Sequence, residues 1–234
     1  MIKIYGKNCI REAIRKNQGL QEIFILEGVA KKDEAFLNLL KDKKIKYTIQ
    51  TKKQMDMLFG DGHQGYGAYH LEYKVYGEEI IEAISSSPKR ILLLDGIMDP
   101  HNLGAILRSV DAFGYDAVVL PKNRSCFITE TVAHISTGAI EYVKIAYVNS
   151  LSVFVDRLKD AGYWICGTDA KGSTDVSCVD LSLDLAVIIG SEGFGMSKTL
   201  LHKTDYLLSI PMVGHVNSLN ASVSAGIILY ALKK

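Results

Sequence analysis

Apolar positions in the second part of the chain follow two alternating spacings. Short runs of consecutive apolar residues are separated by stretches in which apolar residues recur every three or four positions. Continuous runs are typical of parallel strands buried on both faces, and the longer spacing is typical of amphipathic helices. The predicted strands are 91–94, 117–120, 143–148, 163–167, 185–189 and 206–210, and the predicted helices are 103–113, 129–140 and 151–161. This alternation predicts right-handed crossovers and an α/β fold, with a parallel sheet and helices on both of its faces.

The front of the chain has a less regular pattern, which predicts a separate small α/β domain. Its predicted helices are 10–16, 35–40 and 55–58, and its predicted strands are 23–26, 46–49 and 66–73. The segment Ser85-Ser86-Ser87-Pro88 is typical of a connector, and all four prolines lie within residues 88–234. We therefore divide the chain into a front domain at 1–77, a linker at 78–89 and a back domain at 90–234.

Composition narrows the class of protein without identifying it. The 234 residues are 48% hydrophobic and 23% charged, as in ordinary soluble globular proteins. No apolar run approaches the roughly 18 residues needed to cross a bilayer, and the N-terminus lacks an apolar signal segment, so we expect a cytoplasmic protein without membrane contact. The four cysteines stand far apart and the six histidines form no H-x-x-x-H pair, so we expect reduced thiols and no bound metal.

The charge is unevenly distributed along the chain. Residues 1–77 contain 14 Lys and Arg against 9 Asp and Glu, whereas the remaining residues carry a small acidic excess. A basic front domain suits contact with the phosphate backbone of a nucleic acid. A solvated, functionally neutral surface explains the same charges, and the count alone does not separate the two interpretations.

Three segments near the C-terminus predict a ligand site built from the main chain. A strand ends in the glycine-rich sequence Ile189-Gly190-Ser191-Glu192-Gly193-Phe194-Gly195, and a second strand stops at Pro211. The polar turn 218–222 then opens the last helix. Two strand ends and one helix start would supply backbone N–H and C=O groups with few bulky side chains, which is suited to a small polar molecule.

The predicted helix after residue 100 carries a candidate substrate-facing arginine. At about 100° per residue, Leu103, Ile106, Val110 and Phe113 form one apolar stripe, and Arg108 lies almost opposite it. A merely solvated arginine fits this geometry as well. The polar residue Asn102 lies near the first turn, where helix capping is an equally good explanation.

These segments resemble the three motifs of the SpoU (TrmH-type) RNA ribose 2'-O-methyltransferases of the SPOUT superfamily. The matching segments are Asn102–Ser109, Ile189–Met196, and Ile210–Met212 together with Ser218–Ser222. They occur in the family's order, and three ordered motifs are far more specific than one glycine-rich loop. The front segments Tyr5–Asn8 and Gly62–Gly65 resemble the ribosomal-protein-like substrate-binding domain of the bacterial 23S rRNA guanosine-2'-O-methyltransferase subgroup. The resemblance covers nearly the whole chain.

The resemblance implies a fold, a cofactor and an assembly. It implies a C-terminal trefoil knot that binds S-adenosylmethionine, and a homodimer. It assigns cofactor-binding positions to Gly190, Ile210, Leu219, Thr168, Met212 and Ser218, and catalytic positions to Arg108, Asn102, Glu192 and Asn220. Gly190, Ile210 and Leu219 would contact the cofactor through main-chain groups, and Asn102 and Arg108 would face the RNA. The chain departs from the family pattern at Ala221 and Ser224, where valine and alanine are expected, and both changes are small.

The implied reaction is in-line transfer of a methyl group from a sulfonium to a ribose 2'-hydroxyl. The expected substrate is a guanosine of 23S rRNA. The family assignment makes Arg108 the activator of the hydroxyl. A guanidinium with a pKa above about 12 is a poor base, so orienting the hydroxyl and clamping a phosphate is the second interpretation.

Three other functions compete with this one. A tRNA ribose is the alternative substrate. A dinucleotide-binding enzyme is disfavoured, because the glycine order here is G-x-x-G-x-G and the first-strand G-x-G-x-x-G is missing. A non-catalytic RNA-binding module would have no need of the arginine or the Ser-Leu-Asn turn, and both are present.

Overall fold

The computed structural model describes residues 1–169, 172, 174–191, 193–215 and 218–233, and its contacts divide the chain into two compact units. The first unit comprises Met1–Tyr73 and Ile128–Tyr142, and the second comprises Lys74–Phe127 and Val143–Lys234. The first unit differs from the predicted front domain 1–77 in two ways: it ends at Tyr73, and it includes the segment 128–142.

The first unit is built on a four-stranded sheet in the order β1-β4-β2-β3. Its strands are β1 (Ile2–Tyr5), β2 (Leu20–Leu26), β3 (Tyr47–Gln50) and β4 (Tyr66–His70), and its helices are α1 (Lys7–Lys16), α2 (Glu27–Ala30), α3 (Glu34–Asp42), α4 (Lys52–Phe59) and α6 (Glu130–Ile135). Strand β2 pairs with β3 in parallel and with β4 in antiparallel register. The core includes Ile4, Ile14, Ile23 and Leu40, all with no exposed surface. The result is a small α/β unit, although β1 was not predicted and the predicted strand 66–73 ends at His70.

The segment 128–142 packs against the start of this unit. The ring of His134 stacks on that of Tyr5 at 4.2 Å, and the Tyr73 hydroxyl donates to the Glu141 carboxylate at 2.9 Å. The helix predicted over 129–140 was too long, because α6 ends at Ile135. Thr137 and Gly138 adopt positive φ angles of 50° and 98°, which stop a right-handed helix.

The second unit contains a seven-stranded sheet among the described residues, in the order β11-β9-β10-β6-β7-β8-β5. The strands are β5 (Val75–Tyr76), β6 (Arg90–Asp95), β7 (Ala117–Pro121), β8 (Lys144–Val148), β9 (Trp164–Thr168), β10 (Leu185–Gly190) and β11 (Tyr206–Leu208), and the helices are α5 (Pro100–Ala112), α7 (Leu151–Asp160), α8 (Lys198–Leu201) and α9 (Ala221–Ala231). Every strand pair in this sheet is parallel. The predicted α/β architecture with a parallel sheet is confirmed.

The segment 78–89, predicted as a linker, is part of the second unit. Ile80 has no exposed surface and Ile84 is 5% exposed, and both pack into the core beneath the sheet. The Ser86 hydroxyl donates to the Asp116 carboxylate at 2.7 Å. A serine-rich run before a proline suggested a loose connector, but the isoleucines that precede it supply enough apolar surface to dock the segment.

Helix α9 is fastened at its C-terminal end by a buried arginine. The Arg90 side chain has no exposed surface, and its Nε donates to the carbonyl of Leu232, which caps α9, at 3.2 Å. Its other nitrogens donate to the carbonyls of Lys89, Leu183 and Leu181. Burial lowers the Arg90 pKa, and these carbonyls provide the hydrogen bonds that a buried guanidinium requires.

The length of the helices bears on membrane association. Throughout the part of the chain that the structure describes, no helix is both long enough and apolar enough to cross a bilayer.

Candidate active site

The candidate site is a cavity of about 610 Å³ at the carboxyl ends of three neighbouring strands of the second unit. Thr168 ends β9, Gly190 ends β10 and Leu208 ends β11, and all three line the cavity. Parallel strands bring their carboxyl ends to one edge of a sheet, where ligands of α/β folds bind. The cavity is lined by all six residues that the sequence predicted for cofactor binding, namely Thr168, Gly190, Ile210, Met212, Ser218 and Leu219.

The end of β10 requires glycine because the following loop folds back upon it. A Cβ added to Gly190 would lie 2.2 Å from the Gly195 carbonyl carbon and 2.3 Å from the Met196 nitrogen. The sequence analysis attributed the glycine to close approach of a ligand, whereas the structure shows the approaching backbone to be that of the chain itself. Ser191 and Gly195 exchange two main-chain hydrogen bonds of 3.2 and 3.0 Å, which close this loop.

A second anchor of the same loop comes from β6. The backbone N–H of Ser197 donates to the Asp95 carboxylate at 2.8 Å. Because Asp95 is the register partner of Gly190, the end of β6 holds the far side of the loop that begins at the end of β10. The loop therefore forms one wall of the cavity as a fixed hairpin, and Phe194 at its tip is 92% exposed.

The opposite wall includes one face of helix α9. Ala221, Ser224 and Ile228 line the cavity at helical spacing. The sequence analysis noted Ala221 and Ser224 only as departures from a family pattern. Their spacing of i, i+3, i+7 after the polar turn places them on one face of a helix, and this pattern could have predicted that all three line the cavity.

The polar groups of the cavity are mainly neutral. The Thr168 hydroxyl donates to the Ile188 carbonyl at 3.0 Å, so it braces two strands at the cavity rim. Among the described lining residues, Asp169 is the one with an ionisable side chain. Within those residues there is also no group of three or more side chains able to hold a metal ion. The site is suited to a ligand recognised by shape and main-chain hydrogen bonds.

The structure brings together two of the predicted catalytic residues. The Asn220 amide donates to the Asn102 side-chain oxygen at 2.9 Å, across 118 positions of sequence. The alternative of helix capping does not apply to Asn102, because Asp99 caps α5 by accepting from the His101 N–H. Asn220 caps α9 by accepting from the Ser222 N–H at 2.9 Å, so its side chain joins the starts of both helices beside the cavity.

Arg108 lies on the exposed face of α5, as its spacing predicted. Leu103, Ile106 and Val110 are fully buried on the other face. Arg108 does not line the cavity of its own chain, and six residues of helix place it about 9 Å along the axis from Asn102. Helical side chains lean toward the helix N-terminus, so the Asn102 end of α5 is within the direction open to the Arg108 side chain.

Helices α5 and α9 pack against each other through residues other than Arg108. An added Cβ at Gly226 would meet the Ser109 hydroxyl at 3.6 Å, and Phe113 contacts Tyr230 at 5.6 Å between ring centroids. Within the described residues, Arg108 makes no ion pair or side-chain hydrogen bond. An exposed guanidinium without a partner is available to an anionic ligand. The remaining predicted catalytic residue, Glu192, lies outside the described residues.

Two family models match this chain, one over each part of the sequence. The model of the SpoU rRNA Methylase family matches residues 89–230, more than half of the chain. This chain belongs to the SpoU rRNA methylase family. A second family model, described as RNA 2'-O ribose methyltransferase substrate binding, matches residues 3–69 of this SpoU methylase.

Individual relatives cover one or both units of the SpoU methylase. A Staphylococcus aureus (strain MSSA476) protein, assigned by its name to the TrmH family of tRNA/rRNA methyltransferases, is 43% identical over 235 residues, which span 97% of this chain and 93% of that protein. The AdoMet-bound rRNA methyltransferase from Sinorhizobium meliloti shares the fold with a TM-score of 0.78 at 20% identity, covering 99% of this chain and 86% of that one. A TrmH/SpoU tRNA modifying enzyme from A. aeolicus is 28% identical with a TM-score of 0.56, covering 66% of this chain and 78% of that one. The SpoU methylase is thus an RNA methyltransferase by family.

Proposed function

We propose that this SpoU methylase transfers a methyl group from S-adenosylmethionine to a ribose 2'-hydroxyl in structured RNA, with a guanosine of 23S rRNA as the target. One observation carries the proposal. The six residues predicted to bind the cofactor line a single cavity, and the hydrogen-bonded pair Asn102 and Asn220 lies at its edge.

The cavity fits S-adenosylmethionine in size and in chemistry. Its volume of about 610 Å³ lies in the range of pockets that enclose small organic ligands. Ile210, Met212 and Leu219 offer apolar surface to an adenine ring, while main-chain groups at the strand ends offer hydrogen bonds to its polar substituents. When bound, the cofactor supplies an electrophilic methyl group on a sulfonium.

The side chains of this chain then orient the acceptor and handle its charge. The amide pair of Asn102 and Asn220 holds the starts of α5 and α9 in register, so the acceptor meets a fixed edge of the cavity. Alignment of this kind contributes roughly 7–11 kcal/mol to lowering a barrier. The planar fork of Arg108 orients the hydroxyl through an adjacent phosphate or activates it directly. Glu192 completes the proposed catalytic set.

The first unit is proposed to hold the RNA, and the structure distinguishes two groups of its basic residues. Three basic residues of α1 are paired, since Arg11 and Arg15 contact Glu12 and Lys7 contacts Asp33 at 2.7 Å. The second group, which we call the lysine segment, consists of Lys41, Lys43, Lys44, Lys46, Lys52 and Lys53. All six are exposed, and among the described residues they form no ion pair. We infer that the lysine segment, rather than α1, contacts RNA phosphates.

The choice of rRNA over tRNA rests on the front unit. The S. meliloti rRNA methyltransferase aligns with 99% of this chain and so includes both units, whereas the A. aeolicus tRNA enzyme aligns with 66%. The curated S. aureus relative, which is named for both RNA classes, also spans both units. We take the alignment of the rRNA enzyme with nearly the whole chain to favour rRNA, and tRNA is the alternative substrate.

We also propose that the enzyme is a homodimer that associates through α9. Ala225 and Leu229 bury one face of this helix, whereas Val223, Ile227 and Tyr230 are 49%, 42% and 57% exposed at the spacing i, i+4, i+7. A helix that is apolar on both faces is normally covered on both. Light scattering should give twice the 25.8 kDa chain mass, and a monomeric mass at micromolar concentration would overturn the dimer.

The trefoil knot belongs to the same proposal. Its support is the family membership and the convergence of the ends of β9, β10 and β11 on the cavity. Tracing the chain from β9 to α9 in an experimental electron-density map tests it, and an unthreaded path would reject it.

The activity is tested by incubating the purified protein and labelled S-adenosylmethionine with separately purified 23S rRNA, 16S rRNA and tRNA. The label should enter 23S rRNA, and mapping of hydrolysis-resistant positions should locate a single 2'-O-methylguanosine. Labelling of tRNA alone would replace the substrate, and labelling of a base rather than a ribose would overturn the reaction.

A further inference from the structure

The loop that follows β7 presents an exposed aromatic ring on a rigid support. Phe127 is 57% exposed, and its ring lies 5.1 Å from that of Tyr147, with 30° between the ring planes. Tyr147 is only 6% exposed, and its hydroxyl donates to the Cys126 carbonyl at 2.8 Å. Tyr147 is therefore bonded to the loop that contains Phe127. One side of the Phe127 ring packs against Tyr147, and the other side is exposed to solvent.

The same loop carries two cations within five positions of Phe127 in the sequence. Lys122 and Arg124 are exposed, and within the described residues neither makes an ion pair. Arg124 has a φ of 61°, a conformation that persists in a non-glycine residue only where the surroundings impose it. Hydrogen bonds from Ser125 to the Pro121 carbonyl and from the Cys126 N–H to the Ile97 carbonyl hold the loop on either side.

The position of this loop connects it with the proposed reaction. Ile97 belongs to the segment between β6 and α5, and that segment contacts the cavity loop, since an added Cβ at Gly96 would lie 3.2 Å from the Ser191 Cβ. The segment leads within a few residues to Asn102, which is bonded to Asn220. The Phe127 loop and the cavity thus flank one short segment at the carboxyl edge of the sheet.

The geometry points to a nucleobase-stacking platform formed by Phe127, with Lys122 and Arg124 contacting the flanking phosphates. An exposed aromatic face on a loop that also carries unpaired cations is typical of the surfaces on which proteins hold unpaired bases of single-stranded RNA. The platform would take an unpaired base within a few nucleotides of the methylated ribose. It rests on the proposed function, and it adds an RNA contact within the second unit to those proposed for the first.

The test measures the affinity of the full chain for a 23S rRNA transcript and for poly(A), together with the affinity for S-adenosylmethionine. Phe127→Leu keeps an apolar contact with Tyr147 but removes the stacking face, and it should weaken binding of both RNAs by about 5- to 150-fold. Phe127→Trp should retain wild-type affinity. The loss caused by Phe127→Leu should not change with salt, whereas Lys122→Gln with Arg124→Gln should lower the slope of log affinity against log salt by about 1.5.

Trp164→Leu is the matched control. Trp164 is 43% exposed and is the first residue of β9, so it lies at the amino end of a strand, away from the carboxyl edge that carries the Phe127 loop. The substitution removes a surface aromatic side chain there and should leave RNA affinity unchanged. Equal RNA binding by wild type and Phe127→Leu would overturn the platform while leaving the proposed function standing. Failure of the wild type to bind either RNA would overturn both. A change in sedimentation with unchanged RNA affinity would assign Phe127 to a protein interface instead.

Discussion

The cavity of the second unit and the lysine segment of the first are two candidate binding regions that differ in enclosure and in charge. The cavity is enclosed by strand ends, a closed hairpin and small residues of α9, with little charge among its described residues. The lysine segment is fully exposed and carries six cations within 13 positions of sequence. Recognition in the cavity depends on shape, which salt hardly alters, whereas recognition by the lysines depends on charge, which salt weakens steeply. Substitutions should therefore separate the two regions by their salt dependence.

The largest effect is expected at Arg108, which belongs to neither region. Arg108→Ala should reduce methyl transfer by about 10³-fold or more, because it removes a preorganised cation from the developing charge. Cofactor affinity and thermal stability should change little, since Arg108 is exposed and does not line the cavity. Single-turnover labelling with saturating RNA and cofactor measures this step apart from binding.

Arg108→Lys sharpens the assignment. Lysine keeps the charge but loses the planar fork, so near-complete loss would favour oriented clamping or direct activation, and substantial activity would favour simple charge neutralisation. Transfer by Arg108→Ala at close to the wild-type rate would remove Arg108 from the catalytic set.

The next largest effect should follow from Gly190→Val, which alters the shape of the cavity without touching the lysines. The new side chain must displace the backbone at Gly195 and Met196, so the hairpin wall shifts and S-adenosylmethionine affinity should fall by about 100-fold. Overpacking of this kind costs roughly 1–3 kcal/mol of stability, so the protein should remain folded. Calorimetry at low and high salt should give the same loss.

Gly214→Ala is the control for this substitution, because an added Cβ there meets nothing within 4 Å. It should bind the cofactor as the wild type does. An unchanged affinity in folded Gly190→Val would reject the cavity as the cofactor site.

A smaller, salt-dependent effect is expected in the lysine segment. Replacing Lys43, Lys44 and Lys46 by glutamine should weaken RNA binding roughly tenfold to a hundredfold at low salt and lower the slope of log affinity against log salt by about 2–3. Cofactor affinity should not change. Filter binding over a range of salt concentrations measures both quantities.

The matched control removes three charges that already have partners, by Arg11→Gln, Arg15→Gln and Lys31→Gln. This triple variant should lose much less RNA affinity than the lysine variant. If the two triple variants behave alike, the distinction between paired and unpaired cations fails and the whole front surface acts by net charge.

The smallest effect concerns Asp33, which pairs with Lys7 and Tyr66 and caps α3. Burial raises the pKa of Asp33, but hydrogen bonds from Lys7, Tyr66 and the Phe36 N–H outweigh it and leave the pKa below its ordinary value. The ionised group therefore stabilises the fold above the unfolded pKa of about 3.9, and this contribution is lost as pH falls through the lower folded value.

Asp33→Asn retains the cap and loses the charge, so it should cost about 1 kcal/mol at pH 7 and much less at pH 2–3. Denaturant unfolding at both pH values measures the difference. A cost that does not depend on pH would show that the Lys7 pair contributes nothing.

The sequence predicted those parts of the molecule that depend on local pattern. Apolar runs and intervening helices predicted six of the strands of the second unit. The cavity residues were named from the resemblance to the SpoU family, because its motifs mark the ends of these strands. The junction of Asn102 with Asn220 depends on the packing of α5 against α9 over 118 positions, and no local pattern reports it. Likewise, residues 78–89 were predicted as a linker but pack into the second unit, and residues 128–142 were predicted in the back domain but belong to the first unit. Such docking depends on which apolar surface lies nearby in space, and the local sequence does not report it.

Helix α9 is held at both ends. Asn220 joins its start to α5, and Arg90 binds the carbonyl that ends it, so the wall formed by Ala221, Ser224 and Ile228 cannot swing away from the cavity. A ligand in the cavity therefore meets a helix whose position is set in advance by tertiary contacts at both of its ends.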